Sequence, residues 1–386
     1  MMSSGTSMSV NRPQYPIQFI DLGAQRRHLG ERLDAAVRRV MEHGKYILGP
    51  EVKELETKLA ERAGVKYAIG VSNGTDALGL VLMAWNVRPG DAVMIPDFTF
   101  AATAEVVAWL GATPIFCDVD RETYNLRPDS LWKGIAAARD YGLTPRAVIA
   151  VDLFGQPADY RAIEAIVADH DLYLLADAAQ SFGANYQGRP VGSIGHATAT
   201  SFFPAKPLGC YGDGGAVLTD DDDLAWHLRS LRVHGQGNDK YDNVKIGMNS
   251  RLDSVQAAIL LEKLTVFDVE LNRRETLASH YNQTLEGHVG VPVRRDDRTS
   301  AWAQYTVRVD DRATLAARLK ADGVPTAIYY PTPLSEQTAY QRYPCAHGGT
   351  PTAGYLAQCV LSLPMHPYMD EDTQRYIINS VQQYAC

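Results

Sequence analysis

The sequence predicts an α/β protein, with a large domain built on a mostly parallel sheet and a small α+β domain after it. Two patterns carry this expectation. Between residues 67 and 176, short apolar runs alternate with helical periods, and strands that are apolar along their whole length belong in a sheet covered on both faces. After residue 253 a long amphipathic helical stretch reaches to about 285, and a separate mixture of strand and helix follows it. A chain of 386 residues can hold one substantial core and a smaller second one. The boundary is expected near Phe267, giving an N-terminal arm with the large domain over 1–266 and a small domain over 267–386.

Taken in order, the opening Met1 to Ser9 is polar, with no basic start and no apolar run, and reads as a tail rather than a signal peptide. Residues 17–22 form a short extended segment, and helices follow over 31–42 and 50–63, the second with Pro50 in its first turn. A strand at 67–71 feeds a helix that runs to Trp85. Strands over 92–96, 113–118, 147–151 and 172–176 then alternate with helices over 101–110, 128–138 and 158–168. A strand ending near Ser201, an irregular loop and a second strand over 216–219 come next. Asp220 to Asp223 open a helix through Arg232, their charges satisfying its dipole, and 234–243 is a glycine-rich loop. The small domain carries a strand over 302–309, a helix over 312–321, an aromatic and proline-rich stretch over 329–343 and a last helix over 371–384.

Composition narrows the function. The apolar share of 46% and charged share of 21% are those of an ordinary globular protein, and a net charge of −8 leaves no footprint for nucleic acid or an anionic membrane. Five cysteines, odd in number and never spaced Cys-x-x-Cys, argue against a disulfide framework and a zinc site, and suit a reducing cytosol. No apolar run is long enough to span a bilayer. A cytoplasmic protein with a small-molecule partner is expected.

In parallel sheets ligands sit beyond the carboxyl ends of the strands. Those ends here are Ser72 to Thr75, Asp97 to Phe100, Asp152 to Gln156 and Asp177 to Gln180. The first leads into a helix N-terminus, where free N–H groups and the positive dipole end suit a phosphate, although Ser72 or Asn73 can equally be a plain cap. Asp177 lies between apolar neighbours, so it needs a cation, hydrogen bonds or a helix to cap. Lys206 stands alone among proline and glycine breakers in Phe203-Pro204-Ala205-Lys206-Pro207-Leu208-Gly209. It is either a lysine reaching the surface or a desolvated amine fit for imine chemistry.

Five stretches in order settle on one likeness. Asn73-Gly74-Thr75-Asp76-Ala77-Leu78, Phe98-Thr99-Phe100-Ala101-Ala102-Thr103, Asp177-Ala178-Ala179-Gln180-Ser181-Phe182-Gly183-Ala184, Ser201-Phe202-Phe203-Pro204-Ala205-Lys206 and Asn249-Ser250-Arg251-Leu252-Asp253 resemble the DegT/DnrJ/EryC1/StrS family of sugar aminotransferases. The likeness spans nearly the whole chain, from Ile20 to Tyr368. It implies the aspartate aminotransferase fold, fold type I, with pyridoxal 5'-phosphate as cofactor.

By that resemblance Lys206 forms the Schiff base and moves a proton, and Asp177 pairs with the protonated pyridine nitrogen. Phe100 stacks on the ring, Gln180 lies by its phenolic oxygen, and Gly74, Thr75 and Ser201 bind the phosphate. Asn249 reaches the phosphate held by a neighbouring subunit, which requires a homodimer with shared sites. The reaction implied is a ping-pong transamination from an amino acid, glutamate, to a nucleotide-linked keto-sugar, as in polysaccharide and lipopolysaccharide biosynthesis. Lys206-Pro207-Leu208-Gly209-Cys210-Tyr211-Gly212-Asp213-Gly214-Gly215 and Leu361-Ser362-Leu363-Pro364-Met365-His366-Pro367 are most like enzymes of UDP-linked N-acetylated keto-sugars, the 3-keto glucuronic acid type or a 4-keto hexose. Arg251, Tyr330 and His366 are the substrate candidates, Arg251 for a carboxylate or diphosphate or as a clamp between subunits. Ser335 stands where many members carry histidine. Two rivals remain: a sugar dehydratase of the same family, which lacks the lysine, and a regulatory protein that keeps the pocket without turnover.

Overall fold

A computed structural model describes residues 13, 15–239 and 241–385, and the N-terminal tail read from the sequence lies outside them. The chain opens with three helices, α1 (Leu22–Leu29), α2 (Glu31–His43) and α3 (Pro50–Ala63), before β1 (Tyr67–Val71) and α4 (Gly74–Ala84). Next come β2 (Asp91–Pro96), α5 (Ala102–Trp109), β3 (Thr113–Cys117), α6 (Pro128–Asp140), β4 (Thr144–Val151), α7 (Tyr160–Asp169) and β5 (Tyr173–Asp177). A small ribbon of β6 (Asn185–Tyr186) and β7 (Arg189–Pro190) precedes β8 (Ala197–Ser201), β9 (Gly215–Thr219) and α8 (Asp222–Leu231). The remainder is α9 (Ser254–Leu264), α10 (Phe267–Leu285), β10 (Tyr305–Arg308), α11 (Arg312–Ala321), α12 (Pro351–Cys359), β11 (Val360–Leu363) and α13 (Glu371–Tyr384).

Seven strands form one sheet in the order β1-β9-β8-β5-β4-β2-β3. Only β9 runs against its neighbours, because it returns directly from β8, so the carboxyl ends of the other strands share one edge. Apolar side chains from both faces are buried, one set including Ile69, Val93, Ile149 and Val217 against α4, α5 and α8, the other including Met94, Val148 and Leu174 against α6 and α7. That two-sided cover is why the strands read as unbroken apolar runs.

The helices begin where the sequence offers caps. Asp21, Asn73, Asp221, Asp311 and Asp370 each accept a backbone N–H from the first turn of α1, α4, α8, α11 and α13. Gly44 and Gly64, at φ 68° in both cases, end α2 and α3 in the left-handed conformation that glycine adopts without strain. Asp220 to Asp223 are exposed, as a solvated cap requires.

Three departures from the sequence reading have local causes. The long helix expected from 253 to 285 is two helices, because the Thr265 hydroxyl turns back to the Glu262 carbonyl at 2.6 Å and β-branched Val266 follows it. α1 went unread because it buries only Gln25 and Leu29, too few to show a period. α12 and β11 were missed because one passes straight into the other, Cys359 to Val360, without a turn residue. We propose the division into 1–266 and 267–386 at the first of these breaks. An apolar cluster around Leu277, Tyr281, Leu319, Leu361 and Ile377 forms a core of its own beyond it, closed by the β10–β11 pair. No helix among the described residues is long and apolar enough to cross a membrane.

Candidate active site

β8 and β9 are joined by the loop 202–214, and their last paired residues are Ser201 and Gly215. Phe202 closes the loop's base, donating to the Gly214 carbonyl at 2.7 Å and accepting from the Cys210 N–H at 2.8 Å. Within it, the Lys206 N–H turns back to the Phe203 carbonyl at 2.8 Å. Gly209 has no room for a side chain, since a Cβ would stand 2.5 Å from the Pro204 carbonyl oxygen. Lys206 is therefore held by backbone on both sides rather than left on a free loop.

Beside it stands Asp177, the last residue of β5, which is paired with Ala199 of β8 and is only 6% exposed. Its carboxylate accepts the Ala179 N–H at 3.1 Å, closing a turn two residues long, so it caps no helix. Burial pushes the carboxyl above its ordinary range while the Lys206 charge pulls it back down. Burial likewise pushes the Lys206 ammonium below its ordinary value, with Asp177 opposing. Each group is displaced toward neutrality, and each is the other's electrostatic partner.

The β1–α4 junction is where the sequence reading expects an anion cradle. Asn73 caps the helix through Asp76 N–H at 2.7 Å, which leaves the N–H groups of Gly74 and Thr75 without an intrahelical acceptor. Gly74 lies directly against β8, where a Cβ would meet that of Ser201 at 2.7 Å, and a Cβ on Gly215 would meet the Asn73 carbonyl carbon at 2.5 Å. The cap and the cradle are thus the same few residues. Ser72 reaches across to Ser250, the two hydroxyls 3.1 Å apart, and also bonds Asp76.

Gln180 is fixed from two sides, accepting the Phe154 N–H at 2.6 Å and facing the Tyr330 hydroxyl at 3.5 Å. Tyr330 brings the second half of the chain to this edge, its ring 6.2 Å from that of Phe100 and 6.3 Å from that of Phe98. Phe100 itself is 57% exposed, an uncovered aromatic face beside the strand ends. Asp152, at the end of β4, accepts Ser181 and Tyr160 hydroxyls at 2.6 Å and the Ala158 N–H at 2.8 Å, and burial pushes its carboxyl up to about 7. It holds the segment that carries Gln180. Asp97 does the same for the segment carrying Phe100, accepting the Ser335 N–H at 2.7 Å and the Ser335 and Thr350 hydroxyls at 2.6 Å. Ser335 is therefore bonded to a buried carboxylate here. Asp97 and Asp152 stood among the polar strand ends in the sequence, but no pattern marked their partners, which lie up to 253 residues away.

The remaining candidates are placed differently. Asn249 is exposed, on a bridge with Val233. Arg251 is half-buried with its Nε buried and unpartnered among the described residues. His366 is buried, and its charged neighbours are Asp21, Arg274 and Asp370, none of them at the strand ends that carry Lys206 and Asp177.

The fold is the pyridoxal-phosphate-dependent fold type I, and the chain is an enzyme, an aminotransferase, as its similarities show. The chain matches the model of the DegT/DnrJ/EryC1/StrS aminotransferase family over residues 27–382, and it belongs to that family. It is 48% identical over 357 residues to the UDP-2-acetamido-2-deoxy-3-oxo-D-glucuronate aminotransferase of Pseudomonas aeruginosa, covering 92% of this chain and 96% of that one. The crystal structure of a DegT DnrJ EryC1 StrS aminotransferase from Brucella abortus superimposes with a TM-score of 0.94 at 51% identity, covering 95% of this chain and 99% of that one. NtdA from Bacillus subtilis, solved with bound cofactor PMP, superimposes with a TM-score of 0.87 at 27% identity, covering 97% and 86% of the two chains.

Proposed function

We propose that this enzyme moves an amino group from glutamate to a UDP-linked N-acetylated 3-keto sugar of the glucuronic acid type, in two alternating half-reactions on pyridoxal 5'-phosphate. The placement of Lys206 in the β8–β9 loop beside the buried Asp177 at the end of β5, each displaced toward neutrality by burial, carries this reading. The residues fit the cofactor. A buried carboxylate pushed up by desolvation is a ready partner for a pyridinium nitrogen, and the gap kept open by Gly74 and Gly215 suits a phosphate at the α4 terminus. When bound, the cofactor supplies an aldehyde that takes up and gives back the amino group, and a ring that absorbs an electron pair.

The chain's own residues divide the remaining work. Lys206, its ammonium destabilised, offers the amine that tethers the cofactor and afterwards a base that moves a proton. Asp177 keeps the ring nitrogen protonated. Phe100 would cover a ring face of the bound cofactor, and Gln180, immobilised by Phe154 and Tyr330, would hold its phenolic oxygen. Gly74 and Thr75 N–H groups with Ser201 bind the phosphate. Arg251, its Nε without a partner among the described residues, pairs with the sugar carboxylate or the diphosphate, with Tyr330 as a further substrate-side group; His366, buried away from the strand ends, is left out of this role. The choice of sugar is supported by the similarity to the Pseudomonas aeruginosa aminotransferase.

A homodimer completes this reading, with Asn249 of the partner subunit at the phosphate. It is supported by the exposed Asn249 and by apolar side chains left open nearby in sequence, Phe203 after Ser201 and Ile246, 91% exposed, before Asn249.

The visible spectrum tests the reaction. Purified protein mixed with pyridoxal phosphate is expected to show the lysine-bound cofactor band, which glutamate alone converts to the pyridoxamine form. Adding the UDP-linked 3-keto uronic acid should restore the first band. Lys206→Ala should show neither the band nor turnover, and full activity in that variant would exclude the assignment.

A further inference from the structure

α9 grips the lysine loop at two points two helical turns apart. Near its start, Gln256 accepts the Tyr211 N–H at 2.9 Å and returns its own amide to the Tyr211 carbonyl at 3.2 Å. Seven residues on, a spacing that returns to the same helix face, Lys263 is 1% exposed and donates to the Gly209 carbonyl at 2.6 Å. The same ammonium stands 4.1 Å from the centroid of the Tyr211 ring.

A lysine buried this deeply is expensive, and an apolar side chain of its volume would fill the space at lower cost. What the ammonium does instead is bind loop backbone. Gly209 is the third residue past Lys206, and it is wedged against the Phe203 and Pro204 carbonyls, where a Cβ would come within 2.6 and 2.5 Å. Its carbonyl therefore reports the shape of the whole turn that carries Lys206. The charge is balanced from behind by Glu270 of α10, itself buried and held by Gln25 at 2.8 and 3.1 Å and by the Tyr368 hydroxyl at 2.5 Å.

We infer that Lys263 is a positioning residue for Lys206: by tying the Gly209 carbonyl and the Tyr211 ring to α9, it fixes the loop that presents the Lys206 amine to Asp177. The inference rests on the reading of Lys206 as the cofactor-bearing lysine. Burial pushes the Lys263 ammonium down to about 8, with Glu270 and Cys210 drawing it up, so the cation persists at neutral pH.

The test compares full-length wild type with Lys263→Met, Lys263→Arg and Tyr211→Leu. In the cofactor-free protein, amide hydrogen exchange in 203–214 should quicken about tenfold in Lys263→Met while β4 and β5 stay protected. After loading, the absorbance titration of the lysine-bound cofactor should shift by about one pH unit. The kcat of the glutamate half-reaction should fall about tenfold with KM changed less than about threefold. Lys263→Arg should recover most of each change, and Tyr211→Leu should show the same changes at smaller size. A folded Lys263→Met with unchanged exchange and an unshifted titration would overturn the inference. If that variant does not fold, unchanged exchange and titration in Tyr211→Leu would overturn it equally. Failure of the functional reading looks different, because Lys206→Ala would then keep the cofactor band while the exchange experiment still reports on the loop.

Discussion

At Asp177 and Lys206 burial and attraction pull in opposite directions, and neither group reaches its ordinary protonation behaviour. A bound pyridinium changes that balance for Asp177, since it adds a cation where only Lys206 offered one. Asp177→Asn keeps the side chain's shape but removes the charge, so the ring nitrogen loses its proton and the ring its electron-withdrawing power. The expected result is protein that still takes up pyridoxal phosphate and loses about 100-fold or more in kcat for the glutamate half-reaction. Stopped-flow absorbance measures it, and a loss below about threefold would remove Asp177 from the role. In the sequence these two residues each stood out as a lone charge among apolar or breaker residues, but that pattern left a surface lysine and a helix cap open, and only the family resemblance assigned their roles. Lys263 did not stand out, because nothing sets it apart from the other charges in the long amphipathic stretch read from 253 to 285. Only the packing of the lysine loop against α9 shows that its amine is buried.

Elements carry the site as much as side chains do, and the contact between α4 and β8 is its narrowest point. Gly74→Ala places a methyl group 2.7 Å from Ser201 Cβ, a distance that forces the helix start away from the strand. Alanine is the better helix former by about 1 kcal/mol, so overall stability should change little while the phosphate cradle opens. Titration with pyridoxal phosphate is expected to show about tenfold weaker binding with the melting temperature within a few degrees of wild type. Asp97 shows the opposite balance. Asp97→Ala strands the Ser335 N–H and two hydroxyls in a buried position and releases the segment bearing Phe100, a loss of about 2–4 kcal/mol to be read from urea unfolding. Periodicity exposed most elements of the large domain because several of its strands carry runs of buried apolar residues, as in β1, β3 and β5. It failed where an element was short or abutted another without a breaker, as at α1 and the α12–β11 junction. It also could not see the Asp97 strut, whose donors come from the far end of the chain.

Properties of the whole molecule follow from groups outside the site. His366 is buried neutral, and desolvation pushes its imidazole down to about 4. The unfolded chain takes up a proton near pH 6.5 and the folded one only near 4, so His366 contributes stability that is complete above 6.5 and lost as pH falls through 4. Its upper bound is about 3 kcal/mol. Melting temperatures between pH 4 and 7 should therefore fall less steeply in His366→Gln than in wild type.

Assembly gives the remaining test, because Asn249 and Lys206 are assigned to one site but to different subunits. Asn249 is exposed on its own protomer, as a residue reaching a neighbouring subunit must be. If the two act across an interface, Lys206→Ala and Asn249→Ala are each inactive as homodimers, while a mixed dimer pairs the intact Lys206 of one chain with the intact Asn249 of the other. Half the dimers in an equal, fully exchanged mixture are mixed, and one of the two sites in each is intact. The mixture should therefore recover roughly a quarter of wild-type activity from two inactive proteins. If Asn249 acts within its own chain, no combination of these protomers contains an intact site, and mixing after subunit exchange restores nothing.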